Sequence, residues 1–166
     1  MKPIIICGFA GIGKTHACFN TDEFNMLDLD SSLFTKDESW NFPTDYIKAL
    51  DEVIGYPGEP DFILMSTHQE TRDELKRNTL PYVLVYPDPS RKDEIVSRIE
   101  KRELSKENGN VELGRLIAEH YDEWIKSLEN DDNAILRVPL TDGRNLADVL
   151  SYVKSEVDKN EDGRKY

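Results

Sequence analysis

Only two cysteines, Cys7 and Cys18, stand in 166 residues. Two thiols in a reducing compartment are read as packed rather than bridged. No apolar run approaches the ~18 residues that a membrane span needs, so no membrane partner is expected. No Cys/His cluster carries zinc spacing, and no internal repeat is visible. Positive charge is scarce as well: 21 Lys and Arg against 33 Asp and Glu leave a net −12. That balance argues against broad nucleic-acid binding, while leaving room for a local basic cleft. Met1-Lys2 leads straight into an apolar run without a signal-peptide pattern, and the expected compartment is the cytoplasm.

What the chain does have is an ordinary supply of core and surface residues, 38% hydrophobic and 33% charged. Its length suits one domain, here 1–157, followed by a polar tail, 158–166, that is expected to fray. Near the start, Ile4-Ile5-Ile6-Cys7 precedes Gly8-Phe9-Ala10-Gly11-Ile12-Gly13-Lys14-Thr15, which reads G-x-x-x-x-G-K-T. A loop wrapped round a polyphosphate must bring backbone N–H groups close to the anion, and glycine permits that approach. The following helix then presents its free N–H groups. In this pattern Lys14 reaches the β- and γ-phosphates and the Thr15 hydroxyl ligates Mg²⁺.

The rest of the chain alternates strand and helix signals. Strands are expected at Lys2–Cys7, Asn25–Asp30, Phe62–Met65, Tyr82–Tyr86 and Ala134–Val138. A helix begins at Lys14, and another opens at Pro43-Thr44 and carries Tyr46, Ile47, Leu50, Val53 and Ile54. Thr67-His68-Gln69-Glu70 has the form of a capping box for a helix reaching about Asn78. A charged helix over about 90–104 starts near Ser90, a longer one carries Leu113 to Leu128, and a last one spans Asn145–Val157. Helices between strands imply crossovers, a parallel sheet between helix layers, and ligands beyond the carboxyl ends of the strands.

This order of parts resembles the P-loop nucleoside and nucleotide kinase superfamily, which includes the adenylate, thymidylate and shikimate kinases, over nearly the whole chain. It looks most like the small kinase-like proteins often encoded by bacteriophages. The resemblance implies an α/β three-layer P-loop NTPase fold with five parallel strands in the order 2-3-1-4-5. It also implies ATP as donor and an acceptor near the second strand. On that basis Gly8, Gly11, Ile12, Gly13, Lys14, Thr15 and His16 form the nucleotide-binding group, though His16 has no assigned role of its own. Lys14 is also assigned to catalysis, and Thr15 with Asp28 to the metal.

Asp28 and Asp30 end the second strand, where a carboxylate can position an acceptor oxygen or hold metal-bound water; the plain alternative is strand-end residues capping the next turn. Asp30 is assigned to the acceptor. Arg91, Arg98 and Arg102 share one face at 100° per residue and match the catalytic lid arginines of those kinases, or else belong to a solvated helix with ion pairs. Thr141-Asp142-Gly143-Arg144 stands where the adenine would lie, and Arg144 joins the nucleotide-binding group; it reads equally as an ordinary turn. The stretch 36–54 is the expected acceptor cap, short, aromatic and mildly charged, with Trp40, Phe42 and Tyr46 either stacking a base or serving as core.

The third strand ends Leu64-Met65-Ser66-Thr67-His68 without the acidic residue that a hydrolytic P-loop ATPase carries there. His68 reads as a helix-start residue or as a base. The leading expectation is ATP-dependent phosphoryl transfer to a small nucleotide, a deoxynucleoside monophosphate. The alternatives are a nucleoside, a modified base in DNA or another metabolite as acceptor, and a nucleotide-binding regulator without transfer. The sequence sets no oligomeric state.

Overall fold

The computed structural model describes residues 2–35 and 38–163. Lys36, where the expected acceptor cap begins, and residues 164–166 of the expected tail lie outside them. The strand Ile4–Gly8 (β1) is buried along its whole length, because it lies at the centre of the sheet and is covered on both faces. Phe62–Met65 (β3) and Tyr82–Pro87 (β4) flank it and are also fully buried. Met26–Asp28 (β2) and Leu136–Leu140 (β5) form the two edges and are only partly covered. All four pairings are parallel and the order is β2-β3-β1-β4-β5.

The helices are Lys14–Asn20 (α1), Ser32–Thr35 (α2), Thr44–Val53 (α3), Gln69–Arg77 (α4), Lys92–Leu104 (α5), Leu113–Glu129 (α6) and Leu150–Gly163 (α7). Right-handed crossovers in this strand order put α1 on one face and the helices of the later crossovers on the other. The packing agrees: α3 touches α4 and α5 touches α6, while α1 and α7 both touch a 3-10 turn at Leu146–Val149.

Several elements depart from the sequence reading. β5 begins and ends two residues later than expected and runs through Pro139, which an edge strand tolerates because its outer N–H positions need no partner. The turn expected at Ser31-Ser32 becomes α2, with the Asp30 carboxylate accepting from Ser32 N at 2.9 Å. The capping box at Thr67 does not form. Helix α4 starts from His68 with no side-chain cap. Nor does the lid helix start at residue 90: Asp88 accepts from Ser90 N and caps a 3-10 turn at Pro89–Arg91 before α5 begins. The last helix opens as a 3-10 turn, held by an Asn145/Asp148 capping box, and continues through Gly163. Residues 158–163 are therefore helical rather than a frayed tail. No helix of the described residues is long and apolar enough to cross a membrane.

Candidate functional site

The turn between β1 and α1 is built so that its carbonyl oxygens face the protein. Lys14 Nζ donates to Gly8 O at 2.8 Å and to Phe9 O at 3.0 Å. Arg98 Nη1 donates to Gly11 O at 2.7 Å, and Leu146 N donates to Ile12 O at 2.9 Å. Phe9 N is bound to Val85 O at 3.0 Å. Among the described residues no acceptor takes the N–H groups of Ala10, Gly11, Ile12 or Gly13. A run of unpaired N–H groups with its carbonyls held outward is an anion-binding concavity.

The glycines make this turn possible. Gly11 and Gly13 have φ of +77° and +90°, a conformation that L side chains rarely adopt. At Gly8 the constraint is space, because an added Cβ would lie 3.0 Å from the Lys14 side chain folded over it.

Lys14, half-buried, has its pKa lowered to about 8 by desolvation, against the pull of Asp28 and with Arg102 adding to the depression. Thr15 Oγ1 donates to Asp28 Oδ2 at 3.1 Å. Burial raises the Asp28 pKa, while Lys14 and the Thr15 hydrogen bond oppose that shift. A divalent magnesium ion fits this pair. Two hard oxygens ~3 Å apart match adjacent corners of an octahedron with bonds of about 2.0–2.1 Å, the remaining corners being left to waters and phosphate oxygens. Among the described residues no group of three or more His, Cys, Asp and Glu could hold a metal by itself. Asp30, exposed, accepts from Ser32 N, yet its charge still reaches Lys14. His16 is exposed, and its Nδ1 lies 3.3 Å from Asn20 Nδ2, on α1 and away from the concavity's carbonyl partners.

The three arginines expected on one face go to different places. Arg91 lies in the 3-10 turn outside α5 and is buried. It donates to both Glu94 carboxylate oxygens, to Leu140 O at 3.1 Å and to Arg144 O at 2.7 Å. Its guanidinium bolts the end of β5 to α5 and is taken up by the fold. Arg98 bridges the loop to Asn145 Oδ1 at 3.0 Å and to Glu94 Oε1 at 2.7 Å. Arg102 pairs with the buried Glu103 at 2.8 Å and is close enough to Lys14 to lower its pKa. Arg144 is exposed in the turn after β5 and meets the site only through its backbone.

Two features of this site went unassigned in the sequence reading. Asn145 sits 3.6 Å from where a Gly13 Cβ would be and receives Arg98. Its N-x-x-D spacing with Asp148 was the available signal. Ile95 and Ile99 press α5 against Gly11, Ile99 lying 3.1 Å from its would-be Cβ. On the other side, Tyr46 is core: its hydroxyl donates to Leu29 O at 2.6 Å and accepts from Ser66 N at 3.1 Å, tying the ends of β2 and β3 together. Phe34 and Phe42 pack on the Tyr46 ring, Trp40 packs on Phe34 and stays half-exposed, and Phe42 also meets His68 edge-on at 5.4 Å. No protein-family model matches the chain and no curated protein matches it.

Proposed function

We propose that this chain is a P-loop phosphotransferase that binds ATP with Mg²⁺ and passes the γ-phosphoryl group to a small nucleoside- or nucleotide-type acceptor. The observation that carries the reading is the concavity from Gly8 to Thr15, whose free N–H groups converge where Lys14, Thr15 and Asp28 also meet. A triphosphate entering it would draw Lys14 Nζ from the loop carbonyls to its own oxygens, exchanging neutral acceptors for charged ones. Mg²⁺ held by Thr15 and Asp28 would neutralise charge on the β- and γ-phosphate oxygens.

Phosphoryl transfer asks the protein chiefly for positioning and for positive charge around the moving group. Arg98 and Arg102 on α5 and Lys14 supply that charge on the donor side. Asp30 lies on the opposite side of Lys14, at the end of β2, where it would orient the acceptor oxygen. Calorimetry of ATP with Mg²⁺ against wild type and Lys14→Ala tests the binding half. The variant is expected to lose about 10²-fold or more in affinity, since several charge-assisted hydrogen bonds go with it. Equal binding by both proteins, or none by either at millimolar ATP, would overturn the assignment. ATP binding without transfer to any acceptor would instead favour a nucleotide-binding regulator.

A further inference from the structure

The acceptor's charge can be read from the surroundings of the loop, and the inference rests on the phosphotransferase reading above. Residues 20–60, which run from the end of α1 through β2 and the cap, contain ten Asp and Glu against two lysines and no arginine. Of the lysines, Lys36 is followed directly by Asp37 and Glu38. Lys48 is exposed and pairs with Asp45 at 3.4 Å. Arg72, the first arginine beyond β3, is buried and spent on Asp131. The cations near the loop, Arg98 and Arg102, both come from α5, the donor side. An acceptor already bearing a phosphate dianion would therefore enter a negative cleft in which the described residues offer no cation to receive it, a like-charge juxtaposition that binding sites avoid.

The end of β3 points the same way. Its residues occupy the strand position beside β1, Cys7 pairing with Met65, so the residues after Met65 lie beside the loop. In place of a carboxylate there stands His68, whose Nδ1 lies 2.8 Å from Ser66 Oγ and whose ring meets Phe42 edge-on. The tautomer that donates from Nδ1 leaves Nε2 as an acceptor. Desolvation holds the imidazole below its ordinary pKa, with Lys14 pushing the same way and Glu70 opposing. It is thus a free base at neutral pH. A phosphate acceptor oxygen, ionised with a second pKa of ~6, has no use for such a base, whereas a neutral hydroxyl must lose its proton as it attacks.

We propose that the acceptor is the hydroxyl of an uncharged nucleoside, seated between the aromatic cap and the ends of β2 and β3, with His68 receiving its proton. The hydroxyl oxygen bonds to the γ-phosphorus while the bond from that phosphorus to the β,γ-bridging oxygen breaks. ADP leaves with that electron pair, and the hydroxyl proton passes to His68 Nε2 and then to solvent.

The test offers γ-labelled ATP to the full chain with deoxynucleosides, ribonucleosides and the matching 5′-monophosphates in parallel. Nucleosides are expected to take label with kcat/KM about 10²-fold above their monophosphates, because the acidic cleft penalises the added charge. Faster labelling of the monophosphates overturns the proposal, and so does an absence of label in every nucleoside. In either case Lys14-dependent ATP binding, measured separately, shows whether the phosphotransferase reading survives. His68→Asn is expected to lower kcat for nucleosides by about 10²-fold with unchanged ATP affinity, and to abolish the acid limb of the kcat profile. A wild-type pH profile in this variant removes His68 from the reaction.

Discussion

Lys14 and Asp28 show how a few residues set the character of the loop. Lys14 satisfies itself on Gly8 O and Phe9 O, which keeps a partly desolvated ammonium from being left unpaired. Asp28 reaches the same place from the end of an edge strand and takes the Thr15 hydroxyl. Asp30, two residues on, spends its carboxylate on the first turn of α2. These positions separate the roles of two neighbouring acids. Asp28→Asn is expected to weaken Mg²⁺-dependent ATP binding by about tenfold or more, as losing a metal-site group does. Asp30→Asn should leave that binding close to wild type and act on turnover. Parallel calorimetry at fixed Mg²⁺ decides it, and a larger binding loss in Asp30→Asn would interchange the two acids.

At the level of elements, α5 is packed onto the loop rather than standing clear of it. Gly11 lies under Ile95 and Ile99, and Arg98 pins the same glycine's carbonyl while reaching Asn145 on the far side. Helix, loop and the turn after β5 are thereby held as one unit. Arg98→Ala should lower turnover by about 10²-fold, with a thermal melt recording separately what the lost bridge costs the fold. A turnover equal to wild type would reduce Arg98 to a structural tie.

A second joint, remote from the loop, holds α4 to the segment between α6 and β5. Arg72 Nη1 donates to Asp131 Oδ2 at 2.5 Å, and Tyr82 Oη donates to the same oxygen at 2.9 Å. Both charged side chains are buried. Burial alone would raise the Asp131 pKa, but the hydrogen bonds from Arg72, Tyr82 and the Asn133 N–H outweigh it and leave the carboxyl below its ordinary 3.8. A depressed carboxylate contributes stability that is whole above the unfolded value and is lost as pH falls through the folded one. Melting curves below about pH 4 should show that loss in wild type. Asp131→Asn should remove this contribution and cost about 3–5 kcal/mol at neutral pH, because Arg72 is left buried without its partner.

In the molecule as a whole, the parallel sheet gathers the ends of β1, β2 and β3 and the start of α5 at one edge, which is where the site lies. Much of this was legible beforehand because it is local or periodic. The loop spacing, the buried central strands, the sheet of alternating strands and helices, and the helix registers all come from short-range rules. Even the strand order matches the one implied by resemblance. The boundaries of β5, α4 and α7 were missed where edge position or an unforeseen cap overrode local preference. The fates of Arg91, Arg98 and Arg102 were not legible either, since helical spacing gives a direction around an axis and says nothing of the partners waiting there. Asp131 meets Arg72 and Tyr82, and Glu94 meets Arg91 and Arg98, only after the chain has closed. The charge of the cap stands in the composition of residues 20–60. It bears on the acceptor only because folding puts those acids on one side of Lys14 and the arginines on the other, and electrostatic energy depends on distance in space and not along the chain.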